Sequence, residues 1–124
     1  MILDAGVLIS VDRGDRAAGE LIAAALRNET SLATTHPVVA QVWRNGARQA
    51  RLAKFLTSLV VHPFDDGPAV GNLLARSNTT DVVDAHLVIL AVRQSEPILT
   101  SDMDDIEILA SALQTHRPEV FQWP

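Results

Sequence analysis

At 124 residues the chain has the length of one ordinary domain, enough to bury a core without covalent staples. It contains no cysteine, which excludes disulfides, thiolate zinc sites and cysteine nucleophiles and suits a cytoplasmic location. A net charge of −5 argues against indiscriminate coating of nucleic acid, because counterion release rewards clustered Lys and Arg. The opening Met1-Ile2-Leu3-Asp4 lacks a basic leader, and the apolar runs fall short of the roughly 20 residues a membrane span requires. A complete soluble protein with a single domain over residues 1–124, and no membrane association, is therefore expected.

Met1 to Leu3 reads as a short strand ending at Asp4, and Ala5-Gly6 supplies the permissive backbone of a tight turn. A helix is predicted to begin over Val7 to Val11, followed by a polar break at Asp12-Arg13-Gly14-Asp15. From Arg16 to Asn28, Leu21, Ile22, Ala25 and Leu26 recur at amphipathic-helix spacing, with Arg16, Glu20 and Arg27 on the wet face. Ser31 to Thr35 has a strand's length, and His36-Pro37 ends it because proline suits the first turn of the next helix. That helix holds Val38, Val39, Val42 and Trp43, with Gln41 and Arg44 between them. Asn45-Gly46 is its predicted stop, after which Ala47 to Leu59 resumes with Leu52, Phe55, Leu56 and Leu59 on one side. Leu59 to His62 reads as a third strand closed by Pro63, and Asp65 or Asp66 as the cap of a helix through Leu73 and Arg76.

The chemistry concentrates in residues 80–105. Val82 to Val92 is apolar on nearly every side, the pattern of a helix covered over most of its surface, yet Asp81 and Asp84 stand at its entrance. They are three residues apart and share a face. The short strand Pro97 to Thr100 then runs into Ser101-Asp102, placing a carboxylate at a strand's carboxyl end, where open parallel α/β sheets bind ligands. Asp4 repeats that pattern. Ile106 to Leu113 fits a last helix and Val120 to Trp123 a terminal strand.

Strands alternating with helices predict an α/β fold, a three-layer sandwich whose central, mostly parallel sheet is flanked by helices. In it Asp4, Asp84 and Asp102 face one crevice. Converging carboxylates repel one another unless a cation sits among them. Oxygen donors without cysteine or a close histidine pair suit Mg2+ or Mn2+, which can orient a hydrolytic water and stabilise charge on a phosphodiester.

Each of these residues also has a structural reading. Asp4 and Asp102 suit helix caps, and Asp81 a charge at a helix N-terminus. Asp84 is hardest to assign so, because burying it unpaired is costly. Thr100 and Ser101 serve either to orient ligands or substrate or to shape a turn. His86 reads as a hydrogen-bonded core or interface histidine, and His36, His62 and His116 lack a metal-pair spacing. Trp43 suits packing, with base stacking the functional counterpart. Arg44, Arg48, Arg51 and Lys54 recur at helical spacing as a solvated face, or as an RNA-phosphate track if they border the crevice.

Ile2-Leu3-Asp4-Ala5-Gly6, the Val-Val-Ala-Gln-Val-Trp-Arg segment from Val38, Asp84-Ala85 and Leu99-Thr100-Ser101-Asp102 together resemble the PIN-domain ribonucleases, in particular compact VapC toxins of bacterial toxin–antitoxin pairs. The resemblance spans nearly the whole chain. It implies a PIN-like fold, a Mg2+- or Mn2+-dependent endoribonuclease acting on RNA, a homodimer, and a VapB-like antitoxin partner. It assigns metal coordination to Asp4, Asp84 and Asp102, with Asp105 as an auxiliary acid.

One position departs from that pattern: the family's glutamate in the helix after the second strand is matched here by Gln41, which keeps an oxygen acceptor without the charge. Three outcomes are open. Asp81 supplies the missing charge, three acids suffice for one ion, or the site is weakened and the protein acts by binding RNA or protein. Other classes are excluded on residue type. The only lysine, Lys54, is not at a strand end as a phospho-acceptor receiver needs, and neither a Walker-type loop nor a Gly-x-Ser-x-Gly elbow is present.

Overall fold

The computed structural model describes residues 1–124. Its elements in chain order are β1 (Ile2–Leu3), α1 (Ala5–Arg13), α2 (Arg16–Arg27), β2 (Ala33–Thr35), α3 (His36–Val42), α4 (Ala50–Leu56), β3 (Val60–His62), α5 (Gly67–Ser77), α6 (Val82–Gln94), β4 (Ile98–Thr100), α7 (Met103–Ser111) and β5 (Val120–Gln122). The five strands form one sheet in the order β3-β2-β1-β4-β5, and every pairing is parallel. Helices supply every crossover, as parallel strands require. The expected mostly parallel α/β sheet is thus parallel throughout.

The sheet is short and its centre dry. Every residue of β1, β2 and β4 is buried, whereas β3 and β5, at the edges, are partly exposed. Central strands covered on both faces read as continuous apolar runs, which is why Ile2-Leu3 and Ile98-Leu99 show no alternation. They join Val7, Leu8, Val38, Leu52, Leu73, Leu87, Leu90 and Ile106 in one contiguous core. α6 is buried from Asp84 to Val88 and again at Leu90 and Ala91, and it packs against α5 and α7. No helix is long and apolar enough to cross a membrane.

Local boundaries move where a cap decides them. α1 begins at Ala5 rather than near Val7, because Asp4 caps it through Ala5, and Gly14 closes it in the left-handed region. α7 starts at Met103, ahead of the predicted Ile106. The largest revision concerns residues 43–49, predicted to resume a helix at Ala47. Gln49 is buried there, with its Oε1 accepting the backbone N–H groups of Arg44 and Asn45 at 2.7 and 2.9 Å. Its Nε2 donates to the Val42 carbonyl and to Asp12. The amide takes up backbone groups that a helix would have paired internally, so α4 begins only at Ala50. Arg44 and Arg48 therefore lie in a loop and do not continue the α4 face carrying Arg51 and Lys54. Asp66 occupies the position before α5 without capping it through its side chain, and Asp65 and Asp66 instead pair with Arg93.

Candidate functional site

Chain order departs from spatial order at β1. The chain runs outward through β2 and β3, then returns to the other side of β1 for β4 and β5. In open parallel sheets a ligand crevice lies at this reversal, outside the carboxyl ends of the strands. The flanking strands are β1, which ends at Asp4, and β4, which ends at Thr100 and leads into Ser101 and Asp102. Register sets them side by side, with Leu3 opposite Leu99 and the Asp4 N–H donating to the Leu99 carbonyl.

Asp4 is 2 % exposed, and both carboxylate oxygens are engaged. Oδ1 accepts from the Ala5 N–H and Oδ2 from the Thr100 hydroxyl, each at 2.7 Å. The Thr100 oxygen also accepts the Asp102 N–H at 3.0 Å, so one buried hydroxyl ties the ends of β1 and β4 together. Burial raises the Asp4 pKa above its ordinary value, the two hydrogen bonds oppose that rise, and the carboxylates of Asp102 and Asp81 add to it. Asp4 is thus a helix cap and a member of the acidic crevice at once. Gly6 belongs to this junction as well: a Cβ there would stand 2.1 Å from Ser101 Oγ, so only glycine lets α1 approach the turn after β4.

Asp84 enters from the first turn of α6. Asp81 caps that helix, its Oδ1 accepting the Asp84 N–H at 2.9 Å. Asp84 is 8 % exposed, and burial pushes its carboxyl from 3.8 up to about 7, reinforced by the charges of Asp4, Asp81, Asp105 and Asp102. Asp81, Asp84 and Asp105 line a cleft of about 240 Å³ together with Thr79, Thr80, Ile108 and Leu109. Next to it Ser101, Asp102, Met103, Asp104, Asp105 and Gln122 line a second, and Asp105 is common to both.

The acids share a neighbourhood without closing on a point. No three Asp, Glu or His side chains stand in a metal-holding group. The donor set nevertheless fits a hard divalent cation: carboxylates from three segments, oxygen only, with Asp84 raised by burial and by its neighbours' charge. Asp4 retains lone pairs beyond its two hydrogen bonds.

Gln41 is exposed on α3 and lines neither acidic cleft. Arg44 Nη1 donates to the Ala40 and Trp43 carbonyls, Arg51 Nη1 to the Asp12 carbonyl, and Arg48 is exposed in the 43–49 loop. His86 is buried, with Nε2 3.5 Å from Asp65 and the Phe64 ring 4.8 Å from its own, while Nδ1 has no partner. The expected hydrogen-bonded core histidine is thus satisfied on one nitrogen only, and burial holds its pKa below the ordinary value against the pull of Asp65. Asp104, which sequence reasoning did not single out, lines the second acidic cleft. Its position in the first turn of α7, beside Asp105, was the available signal.

No family model and no curated protein matches the chain by sequence. Solved structures match it closely in backbone. A chain of VapBC2 from Rickettsia felis, solved bound to a DNA fragment from their promoter, superposes with a TM-score of 0.70 at 13 % identity, covering 99 % of this chain and 98 % of that one. PAE2754 from Pyrobaculum aerophilum gives 0.60 at 17 % identity over 94 % and 88 %, and FitAB bound to the IR36 DNA fragment 0.62 at 17 % over 98 % and 93 %. The five-stranded parallel sheet and its helices, matched over nearly the full length by these chains, form the PIN-domain fold. Within that fold the chain is similar to VapC-type toxins, as its sequence motifs lead one to expect.

Proposed function

We propose that the protein is a divalent-metal-dependent endoribonuclease of VapC type, cytoplasmic, dimeric and held in check by a VapB-like antitoxin. The observation that carries this reading is the gathering of Asp4, Asp81, Asp84, Asp102 and Asp105 at the carboxyl edge of the sheet, where the other four each raise the pKa of Asp84. The likeness to VapBC2 and FitAB supports the toxin–antitoxin setting.

Asp4, Asp84 and Asp102 would hold the ion, with Asp81 and Asp105 adding charge. Mg2+ or Mn2+ bound there would act as a Lewis acid on the scissile phosphodiester and lower the pKa of an attacking water. The chain's own contribution is placement. Thr100 fixes Asp4 relative to the Asp102 backbone, Asp81 holds the first turn of α6 so that Asp84 faces the cleft, and Gly6 lets Ser101 close over α1. Asp84, pushed up to about 7, exchanges its proton near neutrality, and a cation held there would favour its charged form. Hydrolysis by water needs no covalent enzyme intermediate, and no cysteine is present to form one.

A second reading, a PIN-like protein that binds RNA or protein without cutting, is favoured by one observation: Gln41 stands where the family pattern has a glutamate, and it is exposed and outside both acidic clefts. Cleavage of RNA by purified, partner-free protein, titrated with Mg2+ and Mn2+ beside a chelator control and the Asp84→Asn variant, separates the two. Metal-dependent cutting lost in the variant supports the nuclease. Folded wild-type protein that cuts no RNA in a broad panel favours binding.

A further inference from the structure

We propose that the face of α3 running from His36 to Trp43 is a track for single-stranded RNA, with Trp43 as a base-stacking platform and Arg44 and Arg48 as phosphate contacts. The proposal rests on the ribonuclease reading and deepens it. His36, Val39, Ala40 and Trp43 recur at positions i, i+3, i+4 and i+7 and, with Leu56 of α4, line one open apolar surface. Trp43 is 36 % exposed there. The surface begins at the acidic crevice. β2 pairs with β1 with Ala33 opposite Ile2, so by extension Thr35 stands beside Asp4, and His36 opens α3 at that same edge. Seven residues of helix carry the track about 10 Å further, within reach of nucleotides next to the scissile bond.

Charge selects the occupant. None of the fifteen acidic residues lies between Thr30 and Phe64, whereas four of the ten cations, Arg44, Arg48, Arg51 and Lys54, lie within that segment. It is therefore basic in a chain of net −5. Arg44 is fixed beside the platform, its Nη1 donating to the Ala40 and Trp43 carbonyls at 2.9 and 2.6 Å. Neither Arg44 nor Arg48 pairs with a carboxylate, since the side-chain ion pairs are Arg16 with Glu20, Arg93 with Asp65 and Asp66, and His86 with Asp65. Trp43 is held from behind by Gly46, whose Cβ would stand 2.9 Å from its ring. An exposed aromatic with one guanidinium fixed beside it and a second on the loop that follows is the chemistry that binds unpaired bases and their phosphates. An apolar protein surface would leave those cations unmatched.

The two tryptophans make the test direct. Trp123 is 5 % exposed, so changes in emission on adding RNA report on Trp43. In the Asp84→Asn background, a short mixed-sequence single-stranded RNA is expected to quench this emission. Trp43→Ala then weakens binding about tenfold or more, and Trp43→Phe restores most of it. Arg48→Ala weakens binding for every sequence and lowers the slope of log affinity against log salt by about 0.7. Equal affinity in Trp43→Ala overturns the proposal while leaving the nuclease reading intact, provided the wild type still cuts RNA. A Trp43→Ala variant that dissociates a dimer yet binds RNA normally also overturns it, assigning the face to a second copy. If the parent neither binds RNA nor, as wild type, cuts it, the ribonuclease reading falls and the track with it.

Discussion

Replacing Asp84 with Asn should make the ion-free protein more stable at alkaline pH while destroying its activity. Asp84 ionises in the folded chain only at about 7, against 3.8 for an ordinary Asp. At 1.36 kcal/mol per pKa unit, holding it charged costs the fold at most about 4 kcal/mol. Its oxygens reach the cleft and water relieves part of that, so a gain of about 2 kcal/mol at pH 8 is expected. For a domain of this size that is roughly 8 °C in Tm. The sign follows from linkage. A carboxyl with a raised folded pKa contributes stability that is fully present below 3.8 and lost as pH rises through about 7. Wild type and variant should therefore match near pH 4, separate up to about pH 7 and keep a level gap from there to pH 8. Thermal or urea unfolding in chelator across that range measures the gap, and saturating Mg2+ should raise the wild-type Tm much more than the variant's. A variant less stable than wild type at pH 8, or a gap independent of pH, would refute the placement of Asp84 among like charges.

Thr100→Val keeps shape but leaves Asp4 Oδ2 and the Asp102 N–H each one bond short, and should cost about 1–3 kcal/mol in urea unfolding, with Thr100→Ser recovering most of it. Gly6→Ala drives a methyl into Ser101 and should cost about 1–3 kcal/mol by overpacking; Ser101→Gly in the same chain should restore the loss, and failure to do so would place the strain elsewhere. Gln41→Glu, on an exposed helical site, should shift the midpoint of a Mn2+ titration while leaving the ion-free Tm within about 1 °C; an unchanged midpoint would remove this position from the ion's environment.

The α/β alternation was legible because its signals are local. Ile2-Leu3, Val60-Val61 and Ile98-Leu99 are short apolar runs bounded by breakers, and Val82 to Val92 is too uniformly apolar for a surface helix. Asp4 and Asp102 could be placed at strand ends for the same reason. The Gln49 clamp could not be read, because its amide gathers groups from Asp12, Val42, Arg44 and Asn45, and nothing in a lone glutamine announces partners 37 residues away. The Gly6–Ser101 approach is likewise a contact between segments that meet only in the sheet. Register brings the acids to one edge, but whether their oxygens close on a point depends on the charge among them, which sequence position does not encode.

The strands at the two edges of the sheet, Val60–His62 and Val120–Gln122, are three residues each. An incoming extended segment would find only a few open backbone groups on either side, too brief a ladder to hold a register against water. The architecture thereby discourages fibrillar stacking of one copy on another, and it leaves recognition to the helical faces. With so few main-chain groups open at the sheet's edges, any contact the chain makes falls to its side chains.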